Sequence, residues 1–222
     1  MIIQKRAIVL GIAALCMALN SHANLLVNGS FENGNFVPSE PGSMLLSAGA
    51  TDITGWTVIG GGLAWDGPTN PYNLTASDGN YFLDLTGDYD AAPYGGVQQT
   101  IATTIGGQYE LTFDIGTSTT YDSNEGSVPL IPVSVLATAG SSSQLFTTTT
   151  PTGINQWESF SYDFTATSAS TLISLQGQAT ENIQYIGLDN VSVQLVPEPG
   201  TLALFAGSGL FALIGWRRSR KA

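Results

Sequence analysis

Short stretches of alternating apolar and polar residues recur along the central part of the chain. In the stretch QYELTFDIGT, the apolar residues Tyr109, Leu111, Phe113 and Ile115 alternate with polar ones. The same period of two appears in ESFSYDFTAT and in DNVSVQL. A period of two places successive side chains on opposite faces of a β-strand. The pattern therefore predicts strands with one apolar face, not helices.

Further segments rich in β-branched and aromatic residues are separated by turn signals such as Asn28-Gly29 and Gly106-Gly107. These segments are 25–31, 56–59, 81–85, 97–102, 133–137, 145–149 and 172–175. The segments 33–51 and 121–129 lack the pattern and are predicted to be long loops. About ten short strands without a helical period predict an all-β fold, an antiparallel two-sheet β-sandwich of the jelly-roll type.

The N-terminal apolar run, 7–19, follows Lys5 and Arg6 and leads to the small-residue ending Ser21-His22-Ala23. A basic start, an apolar run and a small-residue ending are typical of a secretory signal peptide. We therefore expect residues 1–23 to direct the chain to the secretion machinery and signal peptidase to cleave after Ala23. The alternative is an uncleaved anchor, although the run is shorter than the ~20 residues that a membrane span needs.

Charge is divided unevenly along a chain that holds six Lys and Arg and seventeen Asp and Glu. All the basic residues lie outside the predicted body, 24–195, and every acidic residue except Glu198 lies inside it. The only Cys and the only His, Cys16 and His22, lie in the predicted signal peptide. The body therefore lacks the side chains for a disulfide, thiolate or imidazole metal ligands, a Ser-His-Asp nucleophile or a lysine Schiff base. Nucleic acid is excluded as a partner, because its phosphates are bound through Lys and Arg.

Three features follow one another at the end of the chain: Pro197-Glu198-Pro199, an apolar segment over 200–216 and a basic tail over 217–221. Together they resemble the PEP-CTERM sorting signal of Gram-negative bacteria, which assigns residues 196–222 to the signal. The resemblance implies a single C-terminal hydrophobic helix, held in the inner membrane until an exosortase-type enzyme processes it. It also implies a final location at the cell surface or in the extracellular matrix, with exopolysaccharide and biofilm. A permanent single-pass anchor is the alternative, and it has the same topology.

Several phrases of the body appear in a fixed order: NLLVNGSFENG, GWTV, DGNYFLDLTG, GGVQQTIAT with GGQYELTFDIG, and IGLDNVSVQ. In this order they resemble galactose-binding-like and carbohydrate-binding-module-like jelly rolls. The resemblance implies a structural Ca²⁺ site that uses Glu32 and Asp189, with the carbonyl of Asn28 or Gly29 as a further ligand. Oxygen ligands of this kind suit calcium. The alternative is that both carboxylates are solvated or accept backbone N–H bonds.

Aromatic residues fall into two groups. Those at strand positions are predicted to pack in the core: Trp56, Phe113, Trp157, Phe160, Tyr162 and Phe164. Those predicted to lie in loops are Trp65, Tyr72, Tyr89, Tyr94 and Tyr121. Sugars stack on exposed rings while neighbouring carboxylates bind their hydroxyls, so the candidate glycan-binding residues are Trp65, Asp66, Tyr89, Asp90 and Tyr94. The alternative is that these rings only cover loop surfaces.

The sequence favours a protein that is not an enzyme. Glycoside hydrolysis can use two carboxylates alone, but no recognisable motif sets two of them at a fixed spacing, and Glu110 and Asp114 are expected to lie on a solvated strand face. The main hypothesis is a glycan-binding component of the exopolysaccharide matrix. A structural or adhesive coat protein without a defined ligand is the alternative, and a carboxylate-pair glycan hydrolase is the less favoured one.

Overall fold

The computed structural model describes residues 23–72, 74–87, 92–118, 131–178 and 185–197. These ranges contain eleven β-strands. In chain order they are β1 (Ser43–Leu46), β2 (Thr57–Gly60), β3 (Leu63–Asp66), β4 (Phe82–Asp84), β5 (Gly95–Ala102), β6 (Gln108–Thr117), β7 (Ser134–Ala139), β8 (Ser142–Thr147), β9 (Gln156–Thr165), β10 (Ser170–Gln178) and β11 (Gly187–Leu195). Within the described ranges, no helix is long and apolar enough to cross a membrane. Most of the predicted signal peptide and the predicted helix at 200–216 lie outside them.

The strands form two antiparallel sheets. The six-stranded sheet has the order β1-β3-β4-β11-β6-β9, and the five-stranded sheet has the order β2-β5-β10-β7-β8. The last strand, β11, lies between β4 and β6 in the interior of its sheet. The prediction of an all-β, antiparallel two-sheet sandwich is confirmed.

The core lies between the sheets and is built by the alternation seen in the sequence. On β7, Val135, Ala137 and Ala139 are buried, while the residues between them are partly exposed. Aromatic rings fill the space between β6, β8 and β9: the ring centroids of Phe113 and Phe146 are 5.2 Å apart. Offset and edge-to-face ring pairs at this range contribute beyond their buried area. The aromatic residues predicted for the core do pack there, with Trp157 as the exception: it packs on a smaller cluster outside the main core.

Three predicted segments differ from the structure. Residues 25–31 are not a strand, because Asn28 and Phe31 have positive φ angles of 59° and 57°. This segment nonetheless runs beside β11, where Leu25 donates its backbone N–H to Val193 at 2.9 Å. Strand β1 lies inside the predicted loop 33–51, and β3 was missed altogether. Strands of four residues are too short to show a clear period. The predicted loop 121–129 lies outside the described residues.

Candidate functional site

The two sheets differ completely in charge. None of the strands of the five-stranded sheet contains an acidic or basic residue, and we call this sheet the uncharged sheet. The six-stranded sheet, called here the acidic sheet, carries seven strand carboxylates. They are Asp66, Asp84, Glu110, Asp114, Glu158, Asp163 and Asp189. The sequence shows which strand segments lack Asp and Glu, but it does not show that these segments form one sheet.

A row of neutral hydrogen-bonding side chains crosses the outer face of the uncharged sheet. Strand register places five residues side by side, one from each strand: Thr57, Gln98, Ser174, Thr138 and Ser143. The first four alternate with core residues on their own strands, and Ser143 lies on the opposite side of β8 from the buried Phe146, so the row faces away from the core. Within the described ranges, none of these five side chains has a hydrogen bond to another protein group. Their hydroxyl and amide groups are therefore available to a ligand.

Apolar residues border this row, which we call the hydroxyl–amide row. Leu136 and Leu145 are paired on β7 and β8 on one side of it, and Leu172 on β10 lies on the other. Leu145 and Leu172 are both exposed. With strands about 4.8 Å apart, a row across five strands is about 19 Å long. The face thus combines hydrogen-bonding groups with aliphatic surface over a length that suits an extended ligand.

Part of the outer face of the acidic sheet is covered, although Glu110 on β6 and Asp163 on β9 remain exposed. The chain between β3 and β4 lies over the covered part, and its described residues, 67–72 and 74–81, are called the strap. Under the strap, Leu74, Phe82 and Tyr185 form a second small apolar cluster, against which Trp157 packs. The indole of Trp157 donates to the carbonyl of Thr75 at 3.0 Å, which fixes the strap to β9. This cover explains why four strand carboxylates are buried: Asp66, Asp84, Asp114 and Asp189.

Asp189 and Glu32, the two residues predicted to bind calcium, both hold the strap. Asp189 accepts hydrogen bonds from the backbone N–H groups of Ser77 at 2.8 Å and Asp78 at 2.9 Å. Glu32 accepts them from Asn80 and Tyr81, each at 2.7 Å. Burial raises the pKa of Asp189 to about 7 despite these hydrogen bonds.

This geometry shows both carboxylates engaged with amides of one loop. Calcium takes six to eight oxygen ligands, and the described residues contain no group of three acidic, His or Cys side chains that could hold a metal ion. A calcium ion at Glu32 and Asp189 would therefore need backbone carbonyls and water for most of its coordination. The site stays a prediction.

Asp66 and Asp84 lie diagonally across β3 and β4, since Asp66 is paired with Phe82 and Asp84 with Ala64. Burial raises the pKa of Asp66 to about 6, and burial together with the charge of Asp66 raises the pKa of Asp84 well above its usual range. Asp84 accepts hydrogen bonds from the hydroxyl and backbone N–H of Thr86. Among the described residues, Asp66 Oδ1 and the Tyr185 hydroxyl have no partner. Burial therefore favours the neutral form of both carboxyl groups.

The expectation that Glu110 and Asp114 share a solvated face is wrong for Asp114. Glu110 is exposed, whereas Asp114 lies under the strap. Its carboxylate accepts hydrogen bonds from the hydroxyls of Ser77 and Ser159 and from the amide of Asn190. The two groups therefore have different environments, and only one of them meets solvent.

The three predicted glycan-binding residues that the structure describes, Trp65, Asp66 and Tyr94, are buried and form no surface site. Trp65 lies on β3 in the core, where its indole donates to the carbonyl of Phe31 at 3.1 Å, so its predicted loop position is wrong. Tyr94 and Asp66 are buried as well. Neither ring can stack on a sugar in this conformation. Tyr89 and Asp90 lie outside the described residues, as does Tyr121, while Tyr72 packs against the cluster under the strap.

Fold and sequence together define an exported, acidic β-sandwich protein with a C-terminal sorting signal. Residues 24–194 match the DUF642 family, described as a protein of unknown function, and the chain belongs to that family. Residues 195–221 match the PEP-CTERM protein-sorting motif. The motif implies that the protein is anchored in a membrane before processing by an exosortase-type system. Of the predicted sorting residues, Pro197 is described, while Glu198 and Pro199 lie outside the described ranges. No curated protein sequence matches the chain.

Solved structures similar to this one include carbohydrate-binding modules. One is a CBM61 domain in complex with β-1,4-galactotriose, with 15% identity, a TM-score of 0.44, and coverage of 78% of this chain and 99% of that one. Another is the CBM22-1 xylan-binding domain of Xyn10C from Paenibacillus barcinonensis, with 19% identity, a TM-score of 0.40, and coverage of 70% and 94%. The enzymatically active domain of tailspike protein 4 from bacteriophage CBA120 has 15% identity and a TM-score of 0.44 over 78% of this chain, which spans only 21% of the phage protein.

Proposed function

We propose that the protein is a non-catalytic glycan-binding component of the cell surface or exopolysaccharide matrix, and that it binds glycan on the hydroxyl–amide row of the uncharged sheet. The observation that carries the proposal is the row itself: five neutral side chains, in register across five strands, with no protein partner among the described residues. Sugar hydroxyls both donate and accept hydrogen bonds, as these side chains do.

Charge narrows the class of glycan. The predicted body carries no Lys or Arg, so an anionic polysaccharide would meet repulsion and find no cation to pair with. The uncharged sheet presents neither sign of charge. The proposed ligand is therefore a neutral polysaccharide, whose hydroxyls contact the row and whose C–H surfaces contact Leu145 and Leu172.

A binding assay with matched variants tests the proposal. The full chain, purified in a detergent without sugar head groups, is passed over immobilised neutral polysaccharide from the producing cells. Ser174→Glu introduces a charge at the centre of the row, and Ser161→Glu introduces the same charge on β9 of the acidic sheet. We expect the first variant to lose retention and the second to keep it. Equal retention of both variants would place the ligand elsewhere.

The same assay addresses the alternative functions. A structural or adhesive coat protein without a defined ligand would attach to cells normally but show no retention on any glycan. A glycan hydrolase would release new reducing ends from the polysaccharide during incubation, and loss of that activity on Asp66→Asn or Asp84→Asn would assign it to the buried carboxylates. Retention without released ends is the result that the proposal requires.

A further inference from the structure

Both terminal segments of the body leave the sandwich at the same end. Leu25 lies beside β11 through its hydrogen bond to Val193, and Val196 donates its backbone N–H to Gln108 at the start of β6, at 2.8 Å. A surface cavity of about 370 Å³ lies between the two segments, lined in part by Ala23, Leu25, Tyr109 and Leu195. We call this region, with the turns 103–107, 140–141 and 166–169, the terminal end.

The terminal end exposes several apolar side chains among neutral polar ones and carries no charge. Ile105, at the tip of the first turn, is 69% exposed, and Leu25, Leu195 and Val196 around the cavity are exposed as well. No acidic or basic side chain occurs in the three turns or in the segments 23–27 and 195–197. In a body whose charges are all negative, this uncharged region leaves the exposed apolar side chains with nothing in the described structure to cover them.

The sorting motif sets how far this end can lie from the membrane. Only residues 198–201 separate Pro197 from Leu202, the first large apolar residue of the segment 200–216. Fully extended, the five steps from Pro197 to Leu202 span at most about 18 Å. Strands of nine or ten residues, such as β6 and β11, make the sandwich about 30 Å long. Before processing, the terminal end is therefore the end close to the bilayer.

We propose that the terminal end rests on the lipid surface of the membrane while the chain is anchored. Exposed aliphatic side chains at Ile105, Leu195 and Val196 fit the boundary between headgroups and acyl chains. No carboxylate occurs in the turns and segments that form the terminal end, so they avoid the repulsion by anionic lipids that the rest of the acidic body would feel. Glu198 is the one carboxylate between this end and the apolar segment. The anchored body would thus stand upright, with the loops at its opposite end directed away from the membrane.

Paired probes at the two ends test this orientation. Ile105 and Ile154 are both exposed isoleucines in loops, but Ile154 lies between β8 and β9 at the opposite end. The full chain with Cys16→Ser and either Ile105→Cys or Ile154→Cys is labelled with an environment-sensitive fluorophore and reconstituted in vesicles of phosphatidylethanolamine and phosphatidylglycerol. We expect a lipid-borne quencher to reduce emission from position 105 and to leave emission from position 154 unchanged.

A second variant separates specific contact from simple proximity. With the label at Thr167 in the neighbouring turn, Ile105→Asp should restore most of the quenched emission, whereas Ile154→Asp should have no effect. Equal quenching at positions 105 and 154 would overturn the proposal. So would a label at 105 that is shielded from aqueous iodide but not reached by the lipid quencher, because another protein copy would then cover this end.

Discussion

The outer faces of the two sheets differ in their exposure to solvent. On the acidic sheet the strap buries four of the seven strand carboxylates and an apolar cluster, so that part of this face is a second interior. On the uncharged sheet no carboxylate occurs, and the polar row remains open. The difference teaches that composition alone does not tell which face meets solvent. Here part of the charged face is covered and the neutral face is free, because Glu32, Asp114 and Asp189 hold a loop in place over the charged face.

The largest expected difference between the faces is in packing. Phe82→Ala would remove a fully buried ring from beneath the strap and should lower the free energy of unfolding by about 3–5 kcal/mol. Leu172→Ala, on the open face, should change it by no more than about 0.5 kcal/mol. Urea unfolding of the two variants measures both values. If Phe82→Ala were as mild as Leu172→Ala, the strap would not cover the acidic sheet in solution.

The buried carboxylates should make stability fall as the pH rises. Burial raises the pKa of Asp66 from 3.8 to about 6, so the folded state holds a proton that the unfolded state releases between these pH values. The stabilising contribution is complete below about pH 4 and is lost by about pH 7, a difference of roughly 3 kcal/mol. Asp66→Asn should therefore stabilise the protein at pH 8 relative to the wild type and have little effect at pH 4.

Unfolding curves at both pH values check this, with the exposed Asp163→Asn as the control. If both variants showed the same pH dependence of stability as the wild type, Asp66 would not be buried in solution.

Calcium bound at the predicted site, Glu32 and Asp189, would stabilise the folded state through the acidic sheet and its strap. An ion bound to the folded state at one hundred times its dissociation constant adds about 2.7 kcal/mol to stability. We expect calcium to raise the unfolding midpoint of the wild type and EDTA to reverse the effect. Glu32→Gln should abolish the response, while Asp163→Asn should keep it. An identical midpoint in calcium and in EDTA would rule out the site.

The smallest expected effect is on the stability of the uncharged sheet. Thr138→Glu adds a charge to an outer-face position on β7, where solvent can hydrate it, so the free energy of unfolding should change by no more than about 0.5 kcal/mol. The same variant should lose retention on the neutral polysaccharide. A large loss of stability would mean that the absence of charge serves folding instead of binding.

Sequence patterns predicted the structural features that depend on residues close together in the chain. Alternation located the long strands β6, β9 and β11 and the aromatic residues that they bury. It failed for β3, whose four residues stand between glycine-containing turns, and Trp65 was consequently assigned to a loop. Asp114 and Asp189 gave no sign of burial, because the strap that covers them is distant from both in sequence. Contacts across such distances leave no local period in the chain.

The position of β11 affects the order in which the protein can be assembled. This strand comes last in the body, yet it joins β4 to β6 in the interior of the acidic sheet, and its final residue, Leu195, is also the first residue of the sorting-motif match. Non-local pairing of this kind forms only after the intervening chain is present. A chain that stops before residue 187 would lack both the middle of one sheet and the signal for membrane retention. An incomplete body therefore lacks the sorting motif, and only a chain that contains all eleven strands carries it.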